Sequence, residues 1–600
     1  MIYSLFSILI FFINVDNSIS FNNLLLVPFT LLFFMYFYKK CDVLKSKWIS
    51  LLAFIFSLVM VIGNSLEVSK SFSLIFKSNI NLIYSILSIV GYFIFFKYLL
   101  SYFYLVLKKV KFGNIKSIFD AHPFISSFVI LLLFYLIYMI AFYPAILSPD
   151  PSNQIKQFFH MHTKYLDSVI LLDSNVTFTN HHPIFQTLLM GWFIKLGLLF
   201  NNFNLGLFFY TFTQSLFLIF TLSLTISYMK KIGISSIYRI IVLLFYALTP
   251  VFPLYGMSMV KDVYFTCFII IYTILLFDVI KNGEISLKNM FFIIIVSIFL
   301  ILFRNNGIYV LVLSIPFLAL VLKKYIKKIA VIFIIILSFN FSYNKIVLPY
   351  FKIPAGSIRE MLSIPFQQTA RYVSKYSVSS DEMEAIDKIL VFDDLASRYR
   401  SDLSDPVKEK FNKYYTKADL IKYFKVWFIE GIKHPDTYIE ATLLNTYGYL
   451  YPNTSNWYIY YKYDKKLSDA GFDYHYNSLT DLRDMLSKYG VKYPSIPVIG
   501  MSVNIGFCGM LLLTFLIFLL YEKKYKYIIN MGKYDEKIGK FIVKILSKFI
   551  FNYSKNLPVR ASMPFHIVLE EAHKYIYDDF NSSIMQYDIF SKIAKEGRKY

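Results

Sequence analysis

Asp150 is the residue of this 600-residue chain that is best placed for acid–base chemistry. It stands between two prolines in LSPDPSNQ, directly after an apolar run that ends near residue 143. Proline fixes φ and removes a backbone donor, so the spacing predicts a non-helical segment that holds the carboxylate at the end of the run. A carboxylate there can act as a general base, although the same letters are also ordinary turn chemistry.

Four histidines follow in the same segment: His160, His162, His181 and His182. Imidazole is the commonest zinc ligand, which raises the question of a metal site. Since no carboxylate or cysteine completes a set with recognisable spacing, capping or hydrogen bonding is the favoured role, and metal dependence stays open. Asn180-His181-His182-Pro183 predicts the start of a helix over about 183 to 200, with proline in its first turn, lying along the membrane surface.

Charged groups occur at two further helix ends. Lys261 and Asp262 open an apolar run in SMVKDVYF, where Asp262 is favourable at a helix N-terminus. Arg304 and Asn305 lie in FRNNG, a hairpin with almost no loop, so the guanidinium is predicted at or just inside the membrane interface. A charge there is costly and often functional, and a snorkelling anchor is the equal alternative. We expect Lys261 at the same depth as Asp150.

Further polar residues interrupt apolar surroundings in EMLSIPFQQTARYV, and a second His-Pro pair follows in IKHPDTYIEATLLNTYGYLYP. Ser379 and Glu382 form a capping-box pattern, which predicts a helix start. These groups fall repeatedly on one side of the predicted membrane. The candidate substrate-binding residues are therefore His181, His182, Lys261, Arg304, Asn305, Gln367, Gln368 and Arg371.

The elements that position these residues are predicted to be membrane helices. A chain with 57% hydrophobic and 16% charged residues is not an ordinary soluble domain, since such domains carry about 25% charged residues. About twelve runs approach the roughly 20 apolar residues that a span needs. They cover about 1 to 14, 22 to 38, 48 to 64, 81 to 104, 124 to 143, 205 to 228, 239 to 255, 262 to 280, 289 to 303, 306 to 322, 329 to 343 and 499 to 521.

The net charge of +23 comes mostly from lysines in short loops, which is a topology signal and gives no reason to expect nucleic acid. By the positive-inside rule the loops near 39–47, 108–116, 230–231 and 323–328 are cytoplasmic. Both termini are then cytoplasmic, and 144–204, 256–261, 304–305 and 344–498 lie outside. Three separated cysteines exclude a disulfide framework and a CxxC site.

The predicted fold is thus all-α and polytopic, with about twelve transmembrane helices. Its predicted parts are a transmembrane region at 1–343 with an outer loop at 144–204, a mainly helical extracytoplasmic domain at 344–498, a last transmembrane helix at 499–521, a basic cytoplasmic linker at 522–552 and a short soluble tail at 553–600.

This layout resembles the GT-C class of integral-membrane glycosyltransferases. In that class an outward-crossing helix ends in a loop with an essential acidic residue, and a surface helix opened by His-Pro follows. Here these are 124 to 143, Asp150 and His182-Pro183. The strings YPAILSPDPSNQ, NHHPIFQTLLMGWFIKLG, FRNNGIY, LSIPFQQTAR, SDPVK and KHPDTYI resemble an uncharacterised bacterial multi-pass family grouped with that class, over roughly residues 120 to 520.

The resemblance implies sugar transfer from a polyprenyl-phosphate carrier to an envelope glycan, lipid or protein, on the outer face of a bacterial cytoplasmic membrane. It implies that Asp150 takes or orients the proton of the acceptor hydroxyl. Arg304 and Lys261 would offset charge on the leaving phosphate, and His181 and His182 would hydrogen-bond acceptor or phosphate. No Asp-Asp or Asp-x-Asp pair accompanies Asp150, so no cofactor is certain and a divalent metal stays open.

The C-terminal tail differs in character from the rest of the chain. PFHIVLEEAHKY and IFSKIAKEGRKY resemble part of a HerA-type ATPase, with Glu570-Glu571 placed as in a Walker B site. Because the chain contains no GxxxxGK[ST] phosphate loop, we expect no ATPase activity from it and interpret the tail as a truncated fragment.

Two other function classes stay open. A transporter or flippase of a lipid-linked glycan also suits many helices and interfacial cations. Transporters usually place ionisable residues near the bilayer midplane, where this sequence has few, which favours the enzyme. A structural or assembly protein whose outer domain binds a partner is the third interpretation.

Overall fold

The computed structural model describes residues 3–7, 26–109, 113, 115, 117–163, 176–454 and 467–523. The chain divides into two compact units, Met1–Phe518 and Leu519–Tyr600. Of the second unit only the end of the last helix is described. The ATPase-like tail predicted at 553–600, with Glu570 and Glu571, and nearly all of the basic linker at 522–552 lie outside the described residues, as does most of the run at 1 to 14.

The described part of the chain is helical, with isolated β-bridges and no extended sheet. Its helices of seven or more residues, in chain order, are α1 Leu26–Lys40, α2 Lys47–Ser69, α3 Asn79–Lys109, α4 Pro123–Ala141, α5 Pro149–Phe158, α6 Ile184–Leu198, α7 Phe203–Lys231, α8 Ser236–Leu248, α9 Val251–Met257, α10 Asp262–Asn282, α11 Leu287–Phe303, α12 Gly307–Val321, α13 Ile326–Ser342, α14 Ser363–Lys375, α15 Ser380–Asp387, α16 Lys417–Lys433, α17 Pro435–Thr446, α18 Thr480–Lys492 and α19 Ile505–Lys523.

Six helices among the described residues are long and apolar enough to cross a membrane. They are α2, α3, α4, α7, α10 and the segment Lys323–Tyr350 that contains α13; α8 and α9 add a seventh if the bent pair is one span. The chain is therefore a polytopic helical membrane protein. The prediction of twelve spans is too high by this measure, because runs such as α11 and α12 form helices of only 17 and 15 residues. Seventeen residues reach about 26 Å, short of the roughly 30 Å hydrocarbon core.

Two predicted boundaries are also corrected. The run at 239–255 is not one helix, since it breaks between α8 and α9 with a bend of 52°. Pro250 lies at the break, and its ring removes a backbone donor and clashes with the preceding turn. The helix predicted to end at 343 continues through a π-helical turn, Tyr343–Val347, to Tyr350. The segment that follows this helix therefore begins after Tyr350 and not at residue 344.

Hydrophobic packing holds the spans together. One buried cluster joins α4, α7, α8, α9 and α10 and includes Tyr135 and Leu222. A second cluster joins the four helices α10, α11, α12 and α13, and a third cluster joins α2, α3 and α19. A fourth cluster underlies the ends of these helices, where Ala145, Met259 and Phe303 meet, and residues 467–474 add Leu467 and Tyr474 to it.

The two ends of the bundle differ in their charges. At one end the Lys230 ammonium donates to the Asp120 carbonyl at 2.6 Å, and Lys231 pairs with Asp278 at 2.5 Å. The fully buried Arg239 guanidinium pairs with the Asp120 carboxylate at the same end. This basic end matches the loops that the positive-inside rule predicts to be cytoplasmic.

The other end carries a mainly helical outer region, residues 354–454. Its core contains Phe366, Ile386 and Tyr423, and both α15 and α16 start with a complete capping box. The capping box predicted from Ser379 and Glu382 is thus confirmed. The outer region docks on the loop that follows α2 through hydrogen bonds to the backbone of residues 70 and 72.

Candidate functional site

Two segments that lead to the site are fixed side by side by their backbones. Ile146 N donates to the Met257 carbonyl at 2.9 Å, and Met259 N donates to the Ile146 carbonyl at 3.2 Å. This forms a parallel bridge between Ile146 and Ser258. The first segment runs into α5 and the second into α10, so the bridge sets the separation of Asp150 and Lys261.

A buried glutamine of α7 supports the second segment. Gln214 Nε2 donates to the carbonyls of Gly256 at 2.9 Å and Ser258 at 2.7 Å. Gly256 is in the last turn of α9 and Ser258 follows it, and the last carbonyls of a helix have no partner within the helix. Because a buried carbonyl without a partner is costly, Gln214 stabilises the non-helical path that carries Lys261 to the site.

The bridge brings together three side chains that the sequence analysis singled out. The Lys261 ammonium lies 3.4 Å from Asp150 Oδ2 and 3.4 Å from His182 Nδ1. His182 Nδ1 is 3.9 Å from the same carboxylate oxygen. The prediction that Lys261 lies at the depth of Asp150 is confirmed. The Asp150 side chain is 49% exposed and that of His182 only 5%, so the carboxylate is the accessible member of the cluster.

Asp150 is in a helix, which corrects the sequence prediction. Ser148 is the N-cap of α5, and Pro149 and Asp150 occupy its first turn. Proline is tolerated there because the first backbone N–H groups of a helix have no intrahelical acceptor, and an acidic residue is favoured by the helix dipole. Gln154 Nε2 bonds Thr187 Oγ1 at 3.0 Å, which ties α5 to α6.

Asn180 joins the histidine segment to two other parts of the chain. Its Oδ1 accepts from Ile184 N at 3.0 Å, which caps α6, so the helix starts one residue after Pro183. Asn305 Nδ2 donates to the Asn180 carbonyl at 2.8 Å, and Asn180 N donates to the Pro354 carbonyl at 2.9 Å. Asn305 is thus placed at the site as a positioning contact. Asn180 itself was missed as a functional residue, since its role depends on which loops meet.

Arg304 lies in the predicted tight hairpin between α11 and α12. Its guanidinium pairs with the Asp262 carboxylate and stacks over Phe265, 5.4 Å from the ring centroid. The Arg304 side chain is 38% exposed, so part of it is accessible to solvent. Asp262 therefore both opens α10 and holds Arg304 beside Lys261.

The electrostatics of this cluster favour an anion. Its side-chain charges balance, with Asp150 and Asp262 against Lys261 and Arg304. Helices α5, α6, α10 and α12 all begin at the cluster. Their N-termini add partial positive charge and backbone N–H groups, which is the arrangement that binds phosphates and carboxylates in proteins.

Both histidines are neutral at neutral pH. Burial lowers the pKa of His182 to about 3, helped by the neighbouring Lys261. Burial also lowers the pKa of His181 to about 4. Burial opposes ionisation of Asp150, but the cationic surroundings, with the Lys261 ammonium bonded to it, hold its pKa below the ordinary value. The cluster therefore offers an ionised carboxylate, an ammonium and two neutral imidazoles.

A turn of the outer region lies against the backbone of His181 and was not predicted as part of the site. Gly356 approaches the His181 backbone so closely that a β-carbon on it would lie 3.3 Å from His181 Cα. The 3₁₀ turn Ile358–Glu360 follows, and Glu360 pairs with Lys408 at 2.7 Å. The Lys408 ammonium helps to hold the pKa of Glu360 below its ordinary value, against the effect of burial.

Three predicted substrate-binding residues lie elsewhere, in the core of the outer region. Gln367 Nε2 donates to the Arg400 carbonyl at 2.8 Å, and Gln368 accepts from Trp427 Nε1 at 2.9 Å. Arg371 donates to Glu440 and to the Lys70 carbonyl. The structure gives all three buried protein partners and does not bring them to Asp150. No group of three or more His, Cys, Asp or Glu residues suited to a metal occurs within the described ranges.

The fold and the site together define a class of protein. It is a polytopic helical membrane protein that has a cluster favouring anions at the end opposite its basic loops. The chain belongs to a family of unknown function, DUF6020, whose model matches residues 39–532. The match covers Asp150, the histidines, Lys261 and Arg304, and it ends before the tail at 553–600. No curated protein matches the chain, and no solved structure matches it.

Proposed function

We propose that this protein is a GT-C-type glycosyltransferase that moves a sugar from a polyprenyl-phosphate carrier to a cell-envelope acceptor on the outer face of a bacterial cytoplasmic membrane. One observation carries the proposal: Asp150, Lys261 and His182 lie within 3.4 to 3.9 Å of one another at the non-basic end of the bundle. An accessible, ionised carboxylate beside cations suits a reaction between a hydroxyl and an anionic leaving group.

In the proposed step the acceptor hydroxyl oxygen forms a bond to the anomeric carbon as the bond from that carbon to the phosphate oxygen breaks. The hydroxyl proton passes to Asp150, and polyprenyl phosphate leaves with the bonding electron pair. A single displacement inverts the anomeric configuration. Lys261, the exposed part of Arg304 and the helix N-termini would offset the charge of the leaving phosphate.

The test is transfer of labelled sugar from polyprenyl-phosphate-sugar donors by the protein in proteoliposomes. Asp150→Asn keeps the size of the side chain and removes the base, so we expect transfer to fall by about 10² to 10⁴-fold. Arg304→Ala is expected to weaken donor binding as well as transfer. Asp402→Asn is the matched control, because Asp402 is an exposed carboxylate of the outer region that pairs with Arg400.

Equal transfer by wild type and Asp150→Asn contradicts the assigned base. Loss of transfer in the Asp402→Asn control as well means that the assay reports folding and not chemistry. Release of polyprenyl phosphate by wild type alone supports both the reaction and the role of Asp150.

A transporter or flippase of a lipid-linked glycan is the second candidate, and the break between α8 and α9 favours it. Discontinuous membrane helices are typical of transporters, where they form substrate sites. Here the short helix α9 connects the break to the segment that carries Lys261. Movement of labelled lipid across the bilayer without release of polyprenyl phosphate, by wild type and Asp150→Asn alike, would support transport over catalysis.

A further inference from the structure

Helix α16 has an apolar face that is exposed among the described residues of the chain. Ile421, Phe428, Ile429 and Ile432 have exposed fractions of 66%, 61%, 47% and 66%. Ile421, Phe428 and Ile432 are seven and four residues apart, which puts them on one side of the helix, and Ile429, three residues before Ile432, lies at the border of that side. The opposite side buries Tyr423 and Glu430 in the outer region. Contiguous exposed apolar side chains of this kind mark a surface that contacts a membrane or another protein.

The exposed charges on α16 are positive. Lys417, Lys422 and Lys425 are exposed and flank or interrupt the apolar face. The carboxylates of the helix are engaged elsewhere, since Asp419 forms the capping box with Thr416 and Glu430 is buried. Lysines can extend their aliphatic stems over apolar surface and put their ammonium groups at anionic headgroups. An apolar face bordered by lysines is typical of a helix that lies in a bilayer interface.

The helix that follows α16 places this face near the bilayer. In α17, Glu440 accepts from Phe72 N at 2.7 Å, and Arg371 links the same carboxylate to the Lys70 carbonyl at 2.9 Å. Lys70 is the C-cap of the membrane-spanning α2. Since α2 has 23 residues, it is about 34 Å long and ends at the boundary of a hydrocarbon core of about 30 Å.

We propose that α16 lies in the headgroup region of the bilayer, with Ile421, Phe428 and Ile432 against the acyl chains and its exposed lysines against anionic lipid headgroups. The outer region is then held to the membrane at two places, the end of α2 and the face of α16. This inference is independent of the proposed transferase activity.

The test uses spin labels on single cysteines in the full chain, with Cys41 and Cys508 replaced by serine and the buried Cys267 left in place. Labels at Phe428→Cys and Ile432→Cys are compared with one at Glu384→Cys, an exposed position on α15. The protein is reconstituted into vesicles of phosphatidylcholine and phosphatidylglycerol. Oxygen concentrates in the bilayer, whereas a nickel chelate stays in water. We expect the two α16 labels to collide more often with oxygen than with the nickel chelate, and the Glu384→Cys label to collide more often with the nickel chelate.

Equal access of the nickel chelate to all three labels would overturn the proposal, because α16 would then face water. Dipolar broadening between labels of two copies would also overturn it, because a second copy would then cover the face. Lys422→Gln with Lys425→Gln is expected to lower the oxygen preference, as is pure phosphatidylcholine. No change in either case would overturn the part assigned to anionic headgroups. Unchanged thermal unfolding of the labelled variants shows that they are folded.

Discussion

At the scale of single residues, one ammonium group connects the two other members of the cluster. Lys261 lies 3.4 Å from both Asp150 Oδ2 and His182 Nδ1. Burial raises the pKa of Asp150, and the interactions with His182 and Lys261 more than offset this effect. Because His182 is neutral at neutral pH, Lys261 supplies the permanent positive charge beside Asp150, and this charge helps to set the pH range over which the proposed base is ionised.

Lys261→Gln is expected to shift the acid side of the pH–rate profile for sugar transfer. With Lys261 present, the pKa of Asp150 lies below its ordinary value, so activity is lost only as the pH falls through that lowered pKa. Removing the ammonium raises the pKa of Asp150, and the loss then begins at higher pH. Lys77→Gln, at an exposed lysine near α3, is the control. A lower rate with an unchanged acid side would mean that Lys261 acts only on the phosphate.

At the scale of elements, the α16–α17 pair encloses a buried acid. The Tyr438 hydroxyl lies 2.8 Å from the Trp427 carbonyl and 3.2 Å from Glu430 Oε2. The phenol has one proton and can donate it to only one of these two partners. If it donates to the Trp427 carbonyl, the contact with Glu430 is a hydrogen bond only when Glu430 is protonated and donates to the Tyr438 oxygen. The pKa of Glu430 is raised to about 7, chiefly by burial, in agreement with a protonated acid; Glu382 on α15 contributes to the rise, while the Tyr438 hydroxyl and Lys433 oppose it.

We expect the α16–α17 pair to lose stability as the pH rises. The folded state holds the Glu430 proton up to about pH 7 and the unfolded state releases it near the ordinary value of 4.5, so stability falls between these values and levels off above them. This difference between the two pKa values corresponds to a loss of about 3 kcal/mol in the stability of the pair. The hydrogen-exchange protection of α16 and α17, corrected for intrinsic exchange rates, measures this loss.

Glu430→Gln removes the titrating group, so its exchange is expected to be independent of pH over the same range. Asp402→Asn, at an exposed carboxylate, should behave as the wild type does. A wild-type response that persists in Glu430→Gln would assign the pH dependence to another group.

Sequence patterns predicted the elements better than their contacts. The apolar runs and the capping box located helices, and the positive loops put Asp150, Lys261 and Arg304 at one end of the bundle. The pairing of Arg304 with Asp262 and of Asn180 with Asn305 was not predicted, because it depends on which helices pack together.

Close packing of α6 on α7 needs Gly206, where a β-carbon would lie 2.6 Å from Ile194 Cα. Gln367, Gln368 and Arg371 show that a polar residue in an apolar stretch is as readily a buried structural partner as a ligand contact.

At the scale of the whole molecule, the contacts sort the loops into two sets. The segment around Asp120, the end of α7 at Lys231 and the end of α10 near Asp278 meet at the basic end. The loop after α2, the site and the outer region meet at the other end. A membrane protein built in this way presents its outer region and its proposed active site to the same compartment, and the positive-inside rule assigns the basic end to the cytoplasm.

Cysteine labelling in intact cells tests this topology. Lys77→Cys and Glu384→Cys, both exposed, are expected to react with a membrane-impermeant maleimide. Lys281→Cys, exposed at the end of α10, should react only after the membrane is permeabilised. The Cys41→Ser and Cys508→Ser background serves as the unlabelled control. Labelling of all three positions from one side would contradict the arrangement.

The parallel pairing of Ile146 with residues 257–259 also bears on how the family can diversify. Its two hydrogen bonds use only backbone atoms, and proline at 146 or 259 is the substitution that removes a donor. The side chains at 146, 257 and 259 are buried, so the hydrophobic core limits their size while the hydrogen bonds themselves do not. Substitutions elsewhere around the site can therefore alter which acceptor fits in the proposed reaction while the proposed base and the ammonium keep their separation.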